Sequence, residues 1–125
     1  MDSFEEEVNL VDYGTATLEE KKKWIEALES GDYEQTVGTL KGEDIDGNVG
    51  FCCLGVYCDL IGKDMGEEGY EIRSDGTPYE GPQEYYNITT KHLGDFQDVG
   101  IEMNDGGCSF TVIAATAREF YGIPK

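Results

Sequence analysis

Cysteine and histidine are the residues of this chain best suited to chemistry. Cys52 and Cys53 stand side by side at the head of an apolar run, Cys58 follows, Cys108 is distant, and His92 is the single histidine. A thiol at a helix start feels the positive end of the helix dipole, which lowers its pKa toward a reactive thiolate. With a histidine downstream as base, Cys53 and His92 are the candidates for nucleophilic catalysis. Metal chemistry is not expected. Structural zinc wants two close Cys pairs, or Cys with His, and no such spacing occurs. Asp44-Ile45-Asp46-Gly47-Asn48 begins like a calcium loop, but Val49 stands where that loop needs Gly and Gly55 where it needs Glu. The segment reads as a turn. No phosphate-binding G-x-x-x-x-G-K-[ST] or dinucleotide-binding G-x-G-x-x-G loop is present, so no cofactor is expected.

Phe51-Cys52-Cys53-Leu54-Gly55-Val56 faintly resembles the nucleophile block of papain-like hydrolases, a group that includes phage cell-wall peptidases. His92-Leu93-Gly94 faintly resembles their histidine strand. Three features oppose that reading. Leu54 replaces the small polar residue that follows the nucleophile, the stretch after His92 shows no strand alternation, and an acidic surrounding raises a thiol pKa. The balance leans against an enzyme.

The charge is the strongest compositional signal. Twenty-seven Asp and Glu face nine Lys and Arg across 125 residues, a formal net charge of −18. With 38% hydrophobic and 11% aromatic residues, the chain is nevertheless built to fold. Clustered cations for phosphate contacts are missing, which excludes direct nucleic-acid binding. A domain of this length has a diameter of roughly 36 Å, and duplex DNA of that length carries about 20 charges. The chain therefore matches DNA in charge per length, as a protein that occupies another protein's basic groove would. The plain alternative is that the acid serves solubility and keeps the chain monomeric.

These residues must be positioned by a small scaffold. Residues 1–16 form an acidic arm. Thr17-Leu18-Glu19-Glu20 is a capping box that opens a helix over 17–30, with Leu18, Trp24, Ile25 and Leu28 on its apolar face and Gly31 as its stop. A short β-hairpin is expected within 36–50, turning at Asp46-Gly47-Asn48. An apolar run predicts a second helix over 52–62, and Gly55 within it implies close packing by a neighbour. Residues 63–87 read as a long acidic, Tyr-rich loop, because Pro78 and Pro82 exclude a long helix. Within it, Glu67, Glu68, Tyr70, Tyr79, Glu80, Glu84, Tyr85 and Tyr86 are the candidate partner-binding residues, since Tyr gives contact area at low entropic cost; the plain alternative, which the composition favours, is a surface loop whose Tyr rings cover the edge of the core. A short helical piece from Thr89 to Phe96 carries His92. Ser109 caps a third helix over 109–121, closed by Gly122 and Pro124.

The fold class is therefore α+β: a small, mainly helical single domain with about three helices and a short β-hairpin. Its expected core is Trp24, Ile25, Leu28, Leu40, Phe51, Cys53, Leu54, Tyr57, Cys58, Ile61, Leu93, Phe96, Phe110, Ile113, Ala114, Ala117 and Tyr121. No apolar run approaches the ~18 residues that cross a membrane. The acidic start lacks a leader pattern, so reduced thiols in a cytoplasm are expected.

Three blocks carry a resemblance. They are Trp24-x-x-Ala27-Leu28-x-Ser30-Gly31-x-Tyr33 with Gly38-x-Leu40, then Phe51-Cys52-Cys53-Leu54-Gly55-Val56-x-Cys58-Asp59-Leu60, and finally Asn104-Asp105-x-Gly107-x-Ser109-Phe110-x-x-Ile113-Ala114. Together they resemble a family of small uncharacterised proteins of tailed bacteriophages. The resemblance implies a phage origin and a role in the cytoplasm of an infected bacterium. It transfers no catalytic residue. The expected function is that of an acidic accessory protein that binds a host protein with a basic surface, as a DNA mimic or inhibitor. The alternatives are the Cys-His hydrolase and a virion structural protein.

Overall fold

Thr17 opens the first helix as the capping box requires: its Oγ1 accepts from the Glu20 amide at 3.0 Å, and Glu20 Oε1 accepts from the Thr17 amide at 2.8 Å. In a computed structural model, which describes residues 11–63 and 82–125, this helix α1 spans Leu18–Ser30 and ends at Gly31 with φ 81°. Its buried face is Lys21, Trp24, Ile25 and Leu28. Leu18 does not join it and is 64% exposed. It lies in the first turn, on an open cleft it shares with Tyr13 and Phe120. Lys21 takes the buried place one turn on, with its ammonium 4.7 Å from the centre of the Tyr121 ring.

The hairpin is shorter than expected. Strand β1 (Lys41–Glu43) pairs antiparallel with β2 (Val49–Phe51), with Lys41 opposite Phe51 and Glu43 opposite Val49. The turn is held by Asp44, whose Oδ1 accepts from the amides of Asp46 and Asn48 at 2.8 and 2.9 Å. Residues 36–40 form no strand. Gly38 bends the chain at φ 79°, and its amide donates to Asp105 Oδ1 instead of to a ladder.

Helix α2 (Cys53–Lys63) follows directly, and its middle lies against the bend. A Cβ on Gly55 would stand 1.8 Å from the Leu40 carbonyl oxygen, so the expected close neighbour is backbone. The N-terminus of α2 is capped from a distance. The buried Asn104 accepts from the Cys53 amide at 3.2 Å and from Gln35 Nε2 at 2.9 Å, and donates to the Thr36 carbonyl at 2.8 Å.

Two helices correct the sequence reading. Helix α3 (Pro82–Leu93) occupies the end of the supposed 63–87 loop and most of the supposed 89–96 piece. Pro82 takes the first helical position, where a missing N–H costs nothing, and so begins a helix rather than excluding one. Helix α4 (Phe96–Asp105) lies where the sequence pattern predicts no element. Gly94 at φ 69° makes the corner between them. Helix α5 (Phe110–Tyr121) runs as expected from the Ser109 cap to Gly122.

Residues 12–16 of the expected arm dock on that corner. Thr15 and Ala16 donate their amides to the Lys91 and His92 carbonyls, and the Asp95 amide donates to the Asp12 carbonyl at 2.7 Å. The Tyr121 hydroxyl donates to the Leu93 carbonyl. The orphan carbonyls at the end of α3 are thus satisfied by distant parts of the chain.

The architecture is a small α+β domain. Helix α1 packs on α2 and α5, and α4 packs on α2, α3 and α5. Trp24 from α1 meets Tyr57 of α2 and Phe96 of α4 edge-on, with centroids 6.1 and 6.0 Å away. The expected core residues are buried except Phe51, which is half-buried at the hairpin edge. Val56, Leu60 and Tyr85 join them. Among the described residues no helix is long and apolar enough to cross a membrane.

Candidate functional site

The two catalytic candidates are placed for other work. Cys53 is fully buried. Its amide is taken by Asn104, and its carbonyl accepts from Trp24 Nε1 at 2.9 Å. Its thiol lies against Gly100, where an added Cβ would approach the sulfur to 3.2 Å. Burial pushes this thiol far up, and the neighbouring Cys52 adds to the shift. Desolvation outweighs the helix terminus, so the protonated form is held. Cys52 and Cys58 are likewise raised by burial. His92 sits in the last turn of α3, with Nδ1 2.8 Å from the Tyr57 hydroxyl. That nitrogen faces a phenol, not a thiol. We expect iodoacetamide at pH 8 to modify the half-exposed Cys108 in the folded chain and to reach Cys53 and Cys58 only after denaturation. Rapid modification of Cys53 in the folded chain at pH 7 would restore the nucleophile.

The partner-binding candidates separate. Glu67, Glu68, Tyr70, Tyr79 and Glu80 lie outside the described residues, as does the side chain of Glu84. Tyr85 is corrected outright: it is 1% exposed and unavailable to a partner. Because it belongs to a helix and not to a loop, it shares a buried stripe with Thr89 and Leu93 at four-residue spacing. Tyr86 is half-buried beside it. Its carbonyl accepts from the hydroxyls of Thr89 and Thr90 at 3.0 and 2.8 Å.

The surface best suited to a partner is one the sequence reading passed over. Asp95 stands immediately before α4 without capping it through its side chain, and Asp98, Glu102 and Asp105 follow at spacings of three, four and three residues. This places them along one side of the helix, and all four are exposed. Helix α4 contains no Lys or Arg. Asp95 and Asp105 are fixed by backbone amides, from Asp12 at 3.0 Å and Gly38 at 3.1 Å. A separate cleft of about 280 Å³ has Glu34, Glu43 and Asp44 among its walls. Of the described cations, Lys41 lies on β1 and Lys91 in the last turn of α3. Lys21, Lys22 and Lys23 lie on α1, and Arg118 of α5 holds Glu29 of α1 through two bonds of 2.8 Å. The 3-4-3 spacing of acids was visible in the sequence, but it acquires meaning only once residues 96–105 are known to be helical.

Comparison with known proteins gives one match. A family model described as a domain of unknown function (DUF8296) matches residues 17–99. No curated protein and no solved structure matches the chain. The matched span runs from the N-cap of α1 through the hairpin, α2 and α3 into the first turn of α4. It covers two-thirds of the chain, and the protein therefore belongs to the DUF8296 family of domains of unknown function.

Proposed function

We propose that this chain is a phage-encoded acidic accessory protein that binds a basic surface on a host protein, as a DNA mimic or inhibitor of a basic-groove protein. The exposed acid row of α4 carries this reading. A helix rises about 1.5 Å per residue, so the four carboxylates from Asp95 to Asp105 span roughly 15 Å. One strand of DNA places about one charge every 3.4 Å, or four to five in that distance. The charge density of the row is thus that of a nucleic-acid strand, displayed on a rigid element. Rigid display matters because the charges need not be ordered on binding. The phage origin and the setting in an infected bacterium's cytoplasm rest on the three sequence blocks.

The test is affinity capture from bacterial lysate with the full chain, at low and at moderate salt. A variant combining Asp98→Asn, Glu102→Gln and Asp105→Asn, which leaves a hydrogen-bond acceptor for Gly38, serves as the comparison. The expected partner is a basic protein that the variant fails to hold, that is lost above a few hundred millimolar salt, and that duplex DNA competes away. Capture indifferent to salt, variant and DNA would overturn the reading.

A further inference from the structure

The second feature that suits a partner lies at the opposite end of α1 from its capping box. The last turn of α1 carries no basic residue, although the carbonyl end of a helix attracts cations. Arg118 answers Glu29 on the side that packs on α5. On another side, Ser30 Oγ donates to the Ala27 carbonyl and accepts from the Asp32 amide, which turns the chain back so that Tyr33 reaches α2. The Tyr33 hydroxyl donates to Asp59 Oδ2 at 2.6 Å. Its ring stands edge-to-face on Phe51, with centroids 5.1 Å apart and planes at 86°.

A groove of about 560 Å³ results. Ala27, Tyr33, Phe51 and Leu60 give it apolar walls. Its lining includes the carboxylates of Glu26 and Asp32 and the ammonium of Lys23, and a second ammonium, that of Lys41, stands over its Phe51 wall. Phe51 already shows what its ring accepts: the Lys41 ammonium lies 5.6 Å from its centroid, within cation–π range. Apolar walls suit the methylene stem of a long cationic side chain, while carboxylates, a helix C-terminus and aromatic rings suit its head.

We propose that this groove receives an arginine side chain of the partner protein. The proposal rests on the reading of a basic partner and says where that partner is anchored: the α4 row attracts it, and the Tyr33–Phe51 groove fixes it. The groove lies wholly within residues 17–99, the span matched by the family model, whereas Glu102 and Asp105 of the row lie beyond it.

The experiment titrates the isotope-labelled full chain with an acetylated hexa-arginine peptide at near-physiological salt and follows backbone amide shifts. We expect shifts at Ala27, Ser30, Tyr33, Phe51 and Leu60. The surface variant Glu26→Gln with Asp32→Asn should weaken the peptide about tenfold, a change worth ~1.4 kcal/mol, and Phe51→Leu should do likewise with the α5 amides unmoved. Asp98→Asn with Glu102→Gln should weaken the peptide overall, while the amides that shift remain those of the groove. Shifts confined to α4, unchanged by the groove variants, would overturn the groove and leave the electrostatic reading standing. Groove binding of the peptide, with lysate capture indifferent to the α4 variant, would overturn the α4 reading and leave the groove. No shift anywhere at low salt would overturn both.

Discussion

Gly55→Ala should bring the domain close to unfolding. In an ordinary helix this change stabilises by about 1 kcal/mol. Here the new methyl would lie 1.8 Å from the Leu40 carbonyl oxygen and 2.8 Å from its carbon. The obstacle is backbone, so no rotamer change relieves it. Leu40 cannot simply retreat, because its side chain is fully buried and its carbonyl accepts from the Cys52 amide at 3.2 Å. Helix α2 and the 36–40 bend would have to separate by more than an ångström, which opens the packing around Leu54 and Cys58. Overpacking alone costs about 1–3 kcal/mol, and more where neither side yields. We expect a net loss of at least about 3 kcal/mol in urea unfolding, a large share of the 5–15 kcal/mol typical of a domain. Gly100→Ala is the control. Its methyl meets the Cys53 sulfur at 3.2 Å and Phe96 ring carbons beyond that, contacts that side chains can accommodate, so the loss should be far smaller. Equal stability of the Gly55 variant and the parent would show that the approach of Leu40 to α2 is not close.

That close approach marks the boundary of what the sequence makes legible. An eleven-residue apolar run with glycine in its middle announces a tightly packed helix. That the neighbour is the carbonyl of Leu40, across a hairpin, is written nowhere locally. Helices α1 and α5 are legible because caps, apolar stripes and stops agree. Helix α4 is not, because its buried positions are Phe96, Gln97, Gly100 and Asn104. Two of these are polar and one has no side chain, so no apolar period of 3.6 exists to be read. Gln97 is affordable there only because the Thr89 hydroxyl on α3 donates to it, a partner known only after folding. Helix α3 was hidden by a proline read as a breaker, where it serves as a helix start.

The candidate sites divide along the same line. The thiol of Cys53 has the sequence position of a nucleophile, but reactivity depends on solvation, and solvation is a tertiary property. Tyr85 is a recognition candidate as long as it belongs to a Tyr-rich loop; in a helix its direction is set by the four-residue stripe it shares with Thr89 and Leu93. The acid row needed only the correct secondary structure. The groove needed more, since Tyr33 and Phe51 are brought together by the turn after Gly31 and by the hairpin. Net charge alone distinguishes neither surface.

Asn104 tests how these distant parts are held in register. The Cys53 amide can only donate and the Thr36 carbonyl can only accept, so the orientation of the Asn104 amide is fixed: Oδ1 toward α2, Nδ2 toward the bend. Asn104→Ala strands both groups. Gln35 keeps the Cys108 carbonyl at 2.7 Å, but the helix start and the bend lose their shared partner. An unsatisfied buried group costs about 1–3 kcal/mol, so the expected loss is roughly 2–5 kcal/mol, with exchange protection lost first at Cys53. Asn104→Asp separates the two roles. The introduced carboxyl keeps an acceptor for Cys53 and, when ionised, turns an oxygen toward the Thr36 carbonyl oxygen. Burial and that repulsion raise its folded-state pKa above the unfolded value near 3.9. The folded state therefore binds the proton more tightly. The penalty is fully present at neutral pH and is relieved as pH falls through the raised pKa, where the protonated carboxyl can donate to Thr36. The stability gap between this variant and the parent, measured in urea, should be wide at pH 7.5 and narrower at pH 5. A gap of equal width at both would mean that the donor to Thr36 contributes nothing and that Asn104 acts only as the distant cap of α2.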